Sequence, residues 1–145
     1  MQLSDSLKAR YLCLQILTGV FKNGKSVSYI LESQRVSVSF YKDSDVAIAK
    51  RLSDFIFLHL NSVDNCIDLY VKKNIKLEVR NILRLVVAEY VNKGCPDYAI
   101  VNSAVKLAKL NKVSSFFSGL VNAIARKLVL NLRKNELVFK PELQA

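Results

Sequence analysis

The sequence predicts an all-α protein, a compact bundle of six to seven helices, on three observations. Four Gly and two Pro punctuate 145 residues, too few for the many tight turns of a β-sandwich or barrel. Hydrophobic residues make up 51% of the chain, and they recur at spacings of three and four, the period of one helix face. The breaks between these apolar segments carry helix caps and helix stops. With 23% charged residues and no low-complexity tract, the composition is that of a folded chain. No internal repeat or linker is visible. We expect a single helical domain over residues 1–134 and an irregular tail over 135–145, where Pro141 and mixed charges interrupt any pattern.

Ser4, Asp5 or Ser6 can cap a first helix with Leu7, Tyr11, Leu14, Leu17 and Phe21 on its apolar face, and Asn23-Gly24 supplies a left-handed stop. Lys8 and Arg10 fall near its start, where positive charge opposes the helix macrodipole by roughly a few tenths of a kcal/mol. Tolerance of that penalty is a hint that these cations contact something. Ser26 opens a short second helix to about Gln34. The stretch RVSVSFYK alternates like a strand at Val36, Val38 and Phe40, but one strand has nothing to pair with, so an ordered loop is expected.

Ser44-Asp45 caps a third helix from Val46 to about Leu60, carrying Ala47, Leu52, Phe55, Ile56 and Leu58. Asn61-Ser62 ends it and caps a fourth, Val63 to Lys73, with Ile67 and Tyr70 inward. The strongest pattern runs from Leu77 to Asn92, where Ile82, Leu85, Val86, Glu89 and Tyr90 recur at three and four before Lys93-Gly94 and Pro96. Asp97 can cap the next helix, Tyr98 to Leu110. Val101, Ala104, Val105 and Ala108 form a small-residue stripe there that lets another helix approach closely. Ser114 or Ser115 caps a last helix, Phe116 to about Asn131.

Charge is segregated along the chain. Of the +10 net charge, nearly all lies in residues 71–145, where fourteen Lys and Arg face five Asp and Glu. That asymmetry points to a polyanionic partner, RNA or DNA ahead of an anionic membrane; its plain alternative is solubility. Three scattered cysteines, Cys13, Cys66 and Cys95, fit neither a disulfide framework nor a zinc cluster, and a reducing cytoplasm is the simplest setting. No signal peptide is visible. The longest apolar runs, about five or six residues, fall far short of the roughly 20 needed to span a membrane.

Catalytic chemistry finds no seat. His59, the only histidine, sits in the apolar run FIFLHL and reads as a packed or hydrogen-bonded residue. No ligand set for a metal surrounds it, and no glycine-rich phosphate loop is present, so no cofactor is expected. Cys95-Pro96 lies in a helix-terminating loop with no base at hand, which favours a structural role. Asp43, Asp45, Asp64 and Asp68 lie where helix caps and dipoles place acids. The chain does not read as an enzyme.

The stretch Val79–Leu128 resembles the C-terminal half of the NusB family. That family has a leucine-arginine helix ending in Tyr-Glu, a proline loop, a helix rich in Glu, Ala, Leu and Lys, and a helix opening on Phe-Val-Asn-Gly. Here stand Leu83-Arg84, Glu89, Pro96, VNSAVKLAK from Val101 to Lys109, and Leu120-Val121-Asn122-Ala123. ARYLCLQIL, Ala9 to Leu17, is similar to the family's first helix. The pattern is departed from at Ser103 and Lys106, which replace Glu, and at Ala88, which replaces Tyr; losing the two acids makes this surface more basic. GKSVSYIL, Gly24 to Leu31, and the stretch Asp45–Asp64 look closer to a second branch of the fold. That branch is the RNA-recognition domain of rRNA (cytosine-5-)-methyltransferases of the RsmB/Sun type; the matching catalytic domain is absent, as in a free-standing or truncated module.

The resemblance implies a cytoplasmic protein that binds boxA-type RNA in transcription antitermination. Its partners would be a small-subunit ribosomal protein of the NusE type and the transcription machinery. By family position the RNA contacts fall on Lys8, Arg10, Lys22 and Lys25. By charge alone they extend to Lys106, Lys109, Lys112, Arg126 and Lys127, each of which is otherwise an ordinary solvated cation. Tyr or Phe would stack on unpaired bases. The alternative of a different class is a protein-interaction scaffold whose small-residue helices dock a partner.

Overall fold

A computed structural model describes residues 3–35, 40–72 and 74–142. Among the described residues there are eight α-helices and no strand: α1 Asp5–Asn23, α2 Val27–Arg35, α3 Asp43–Leu58, α4 Leu60–Asp68, α5 Leu77–Asn92, α6 Asp97–Leu110, α7 Lys112–Ser115 and α8 Ser118–Arg133. The fold is all-helical as expected, with one helix more than the sequence periodicity gives. The extra one is α7, a single turn too short to show a period. Residues 36–39, with the strand-like Val36 and Val38, lie outside the described residues, as does Lys73. Contacts gather the chain into two compact units, Met1–Asp54 and Phe55–Ala145.

In the first unit, α1 buries Leu7, Ala9, Leu12, Cys13, Ile16, Leu17 and Gly19. The buried stripe is therefore rotated from the expected one, and Tyr11, Leu14 and Phe21 are only half-buried. Gly24 ends the helix in the left-handed region (φ 63°, ψ 25°), and the Lys25 N–H reaches back to the Gly19 carbonyl at 3.0 Å. The turn brings α2 onto α1, where a Cβ on Gly19 would lie 2.4 Å from Ile30 Cδ1. Ser26 Oγ accepts from the Tyr29 N–H at 3.1 Å and opens α2 as predicted. α3 starts at Asp43, three residues before the expected Val46, so Ser44 and Asp45 do not precede the helix but lie in its first turn, where Asp45 Oδ2 accepts from the Lys42 N–H at 2.9 Å. Ala47 and Leu58, expected on the apolar face of α3, are exposed.

The second unit is built around α5. Residues 81–89 are all buried, so this helix is enclosed on every side, with α4, α6, α7 and α8 against it. Each fully buried Leu, Ile or Val contributes roughly 1.5–3 kcal/mol of transfer free energy. Lys93, not Gly94, takes the left-handed position that ends α5 (φ 53°, ψ 40°). The small-residue stripe of α6 works as expected, since Val101, Ala104 and Ala108 are buried and α6 packs on both α5 and α8.

Other helix boundaries also differ from expectation. The break between α3 and α4 falls at His59 (φ −115°, ψ 32°), two residues before Asn61-Ser62, and α4 ends at Asp68. His59 is a hydrogen-bonded structural residue: its Nδ1 accepts from the Glu142 N–H at 3.1 Å, and its ring packs against Phe55 and Phe139. Ser114 does not cap the last helix. Its hydroxyl donates to the Ala108 carbonyl at 2.7 Å, while Asn111 Oδ1 caps α7 by accepting from the Val113 and Ser114 N–H groups. Residues 134–142, which follow α8, have irregular backbone and are nevertheless anchored, with Leu137 buried and Glu142 Oε1 accepting from the Ser62 N–H at 3.2 Å.

Candidate nucleic-acid interface

The nine cations singled out in the sequence divide between the units. Lys8, Arg10, Lys22 and Lys25 belong to the first. Lys8 is half-buried, with Nζ 3.4 Å from Asp5 Oδ1 and 5.0 Å from the centroid of the Phe40 ring. Asp5 thus offsets the macrodipole conflict that Lys8 creates in the first turn. Arg10 donates from Nη1 to the Ser6 carbonyl one turn earlier. Lys22 is exposed in the last turn of α1, where its charge complements the dipole. Lys25 is exposed and stands over the Tyr29 ring at 5.0 Å. Lys8 and Lys22 share one side of α1 but lie about 21 Å apart along its axis, so the four cations form two groups at its ends.

Lys106, Lys109, Lys112, Arg126 and Lys127 are all exposed in the second unit. Among the described residues none of these five has a carboxylate partner; Arg126 Nε donates to Asn122 Oδ1 at 3.0 Å. Two other cations of this unit are committed internally. Arg80 and Arg84 pair with Asp64 and Asp68 across α4 and α5, which leaves the charge surplus on the remaining Lys and Arg. Lys106 stands exposed where the resemblance has an acid, so that departure does add surface charge. Ser103 is buried and adds none.

Between α6 and α8 runs a cleft of ≈ 430 Å³ lined by Asp97, Tyr98, Val101, Asn102, Arg126, Val129, Leu130 and Arg133. The two helices are antiparallel, since Asp97 at the start of α6 lies 3.7 Å from Arg133 at the end of α8. Of the five singled-out cations in this unit only Arg126 lines the cleft. Sequence reading passed over Arg133 and the exposed aromatics. Tyr98 is 71% exposed and Phe116 is 88% exposed, in the link between α7 and α8. No signal in the sequence marks Phe116 as exposed: it reads as the first residue of the last helix, and the structure places it in the link before that helix.

No cluster of three or more His, Cys, Asp or Glu among the described residues is placed to hold a metal. Cys13 and Cys66 are buried, and burial pushes the Cys66 thiol above its ordinary range, opposite to what a nucleophile needs. The Cys95 thiol donates to the buried Glu89 carboxylate at 3.2 Å, tying the loop after α5 to the helix. No described helix is long and apolar enough to cross a membrane.

These features describe a basic, all-helical protein with most of its lysines exposed to solvent. The sequence model of the NusB family matches residues 7–129, and the chain belongs to the NusB family. No curated protein sequence matches it. Among solved structures, it is similar to T. maritima NusB at 21% identity and TM-score 0.71, covering 94% of this chain and 100% of that one. It is similar at 19% identity and TM-score 0.76 to a chain in the structure of antitermination factors NusB and NusE in complex with dsRNA, covering 89% and 98%. A chain in a crystal structure of a plectonemic RNA supercoil matches at 18% identity and TM-score 0.78, covering 90% and 98%.

Proposed function

We propose that this protein binds RNA in transcription antitermination, recognising a boxA-type strand together with a ribosomal-protein partner of the NusE type. The family match carries this reading, because it spans both units and every one of the nine candidate cations. The structural likeness to a chain from a complex of NusB, NusE and double-stranded RNA supports it. On this reading Lys8, Arg10, Lys22 and Lys25 meet phosphates from the first unit. Lys106, Lys109, Lys112, Arg126 and Lys127 do so from the second. Phe116, four residues after Lys112 and nearly fully exposed, offers a stacking face for an unpaired base.

The test is equilibrium binding of a boxA-type single strand and an rRNA stem-loop over a range of salt. Tight, salt-sensitive binding of the single strand is the expected result, with each lost phosphate contact lowering the slope by about one unit. Unchanged affinity and slope for Lys8→Ala/Arg10→Ala would remove the α1 face from the interface. Preference for the stem-loop would move the protein to the rRNA-methyltransferase branch. Failure to bind either RNA at low salt, with co-purification of a ribosomal protein, would make it a protein-interaction scaffold.

A further inference from the structure

We propose that the cleft between α6 and α8 is a nucleotide subsite for single-stranded RNA, with a base stacked on Tyr98 and the adjoining phosphate held between Arg126 and Arg133. The inference rests on the RNA-binding reading and extends it from Arg126 to the cleft beside it and to Tyr98 and Arg133, which that reading does not use.

The components match what an unpaired nucleotide needs. Tyr98, the only aromatic residue of α6, lies in its first turn with 71% of its surface exposed, on a helix whose large aliphatic groups are mostly buried. A ring left in solvent beside cations is the element on which single-stranded bases stack, whatever their sequence. Arg126 is exposed, and its Nε bond to Asn122 Oδ1 at 3.0 Å fixes the guanidinium while leaving both Nη groups for an anion. Arg133 follows two turns later on the same face of α8, about 10 Å along the axis. Its contact with Asp97 is long at 3.7 Å and open to solvent on both sides, the kind of pair that contributes little and yields to a better anion. Asn102, exposed one turn after Tyr98, presents an amide that can both donate to and accept from a base edge.

The shape agrees. The cleft volume of ≈ 430 Å³ lies in the range of roughly 300–1,000 Å³ typical of small-ligand sites. Val101 and Val129 form a buried apolar floor, and only Tyr98 and Leu130 add exposed apolar surface. An acidic amphipathic helix would need a longer apolar row to seat anchors at i, i+3, i+4 and i+7, and this cleft does not provide one. Charge and shape together favour a nucleotide over a peptide.

The chain contains no tryptophan, so Tyr98→Trp places a single indole in the cleft. With the full chain and the boxA-type single strand as probe, RNA should quench that indole's emission in step with binding. Tyr98→Ala should weaken affinity by at least about fivefold. Adding Arg126→Ala/Arg133→Ala to the Tyr98→Trp protein should abolish the quench and lower the salt slope by about two units. The three side chains changed or probed, Tyr98, Arg126 and Arg133, are exposed, and unchanged circular dichroism and melting confirm that the variants fold. If wild type binds the RNA while the indole emission stays constant, or Tyr98→Ala binds as wild type does, the subsite is overturned and the RNA-binding reading stands. If wild type binds no RNA at low salt, both fall. Quenching by an acidic peptide and not by RNA would likewise overturn the subsite.

Discussion

Arg84 on α5 holds Asp64 on α4 through two parallel hydrogen bonds, Nε to Oδ1 and Nη2 to Oδ2, each 2.9 Å long. Its third nitrogen donates to Asn81 Oδ1, also at 2.9 Å, so the whole guanidinium is used within a nearly buried site. Arg80 widens the network by bridging Asp64 and Asp68. Such a fork fixes the rotation of α5 against α4 more than it adds stability, because desolvating both charges offsets most of their attraction. Removing one partner is another matter. Asp64→Ala should destabilise the protein by about 3–5 kcal/mol in urea unfolding, since it strands a buried cation. Asp64→Leu/Arg84→Met should restore most of that loss. A double variant as unstable as the single one would show that packing, not the unpaired charge, sets the penalty.

Gly19 on α1 packs against Ile30 on α2. A methyl group at Gly19 would meet Ile30 Cδ1 at 2.4 Å and Cγ1 at 2.7 Å, and both atoms must move. Overpacking of this kind costs about 1–3 kcal/mol, against a helix-propensity gain of roughly 1 kcal/mol for replacing an interior glycine by alanine. Gly19→Ala should therefore be neutral to destabilising despite its better propensity. Adding Ile30→Val, which deletes the nearer atom, should recover stability in a thermal melt. A stabilised Gly19→Ala single variant would mean that α2 shifts freely on α1.

The helices other than α7 were legible in the sequence because they carry a strong period or a recognisable start or stop signal. Asn23-Gly24 and Ser26 are of that kind. What escaped was decided between helices. The rotation of α1 that buries Leu12 and Ile16 while half-exposing Tyr11 depends on its neighbours, which a one-helix period does not see. The Ser114 hydroxyl satisfies the Ala108 carbonyl six residues back, a partner that no local cap rule supplies. The cations were readable one by one, but their grouping was not. Arg84 lies in the run that carries the family resemblance, and the fold buries it. Arg133 drew no notice, yet it stands in the α6/α8 cleft.

Alkaline pH should test the environment of Tyr41. Burial, then the neighbouring Tyr11 and Asp45, raise its hydroxyl well above the ordinary value of about 10. The unfolded chain ionises there while the folded one does not. Stability that is complete below about pH 10 is therefore lost as pH rises further. Cys66 acts in the same direction from its ordinary value of 9.0, so the decline begins with the thiol. Urea unfolding at stepped pH should show a falling midpoint from about pH 9, and Tyr41→Phe should remove only the part above about pH 10. A midpoint independent of pH in wild type would show that Tyr41 ionises in place.

The pair of Lys8 with Asp5 makes opposite predictions for binding and for stability. Asp5 sits in the first turn of α1, where a carboxylate favours the helix, and it holds the Lys8 ammonium at 3.4 Å. A phosphate arriving at Lys8 must compete with that carboxylate. Asp5→Asn should therefore raise affinity for a boxA-type strand by about twofold to fivefold, the worth of an exposed ion pair. The same change should lower stability by about 0.3–1 kcal/mol through the macrodipole. Lys8→Ala should reduce affinity and take about one unit from the salt slope, whereas Asp5→Asn should leave the slope nearly unchanged because the phosphate contacts are the same in number. Were Asp5→Asn to weaken binding, Lys8 would be serving the helix start and its contact with the Phe40 ring, not the RNA.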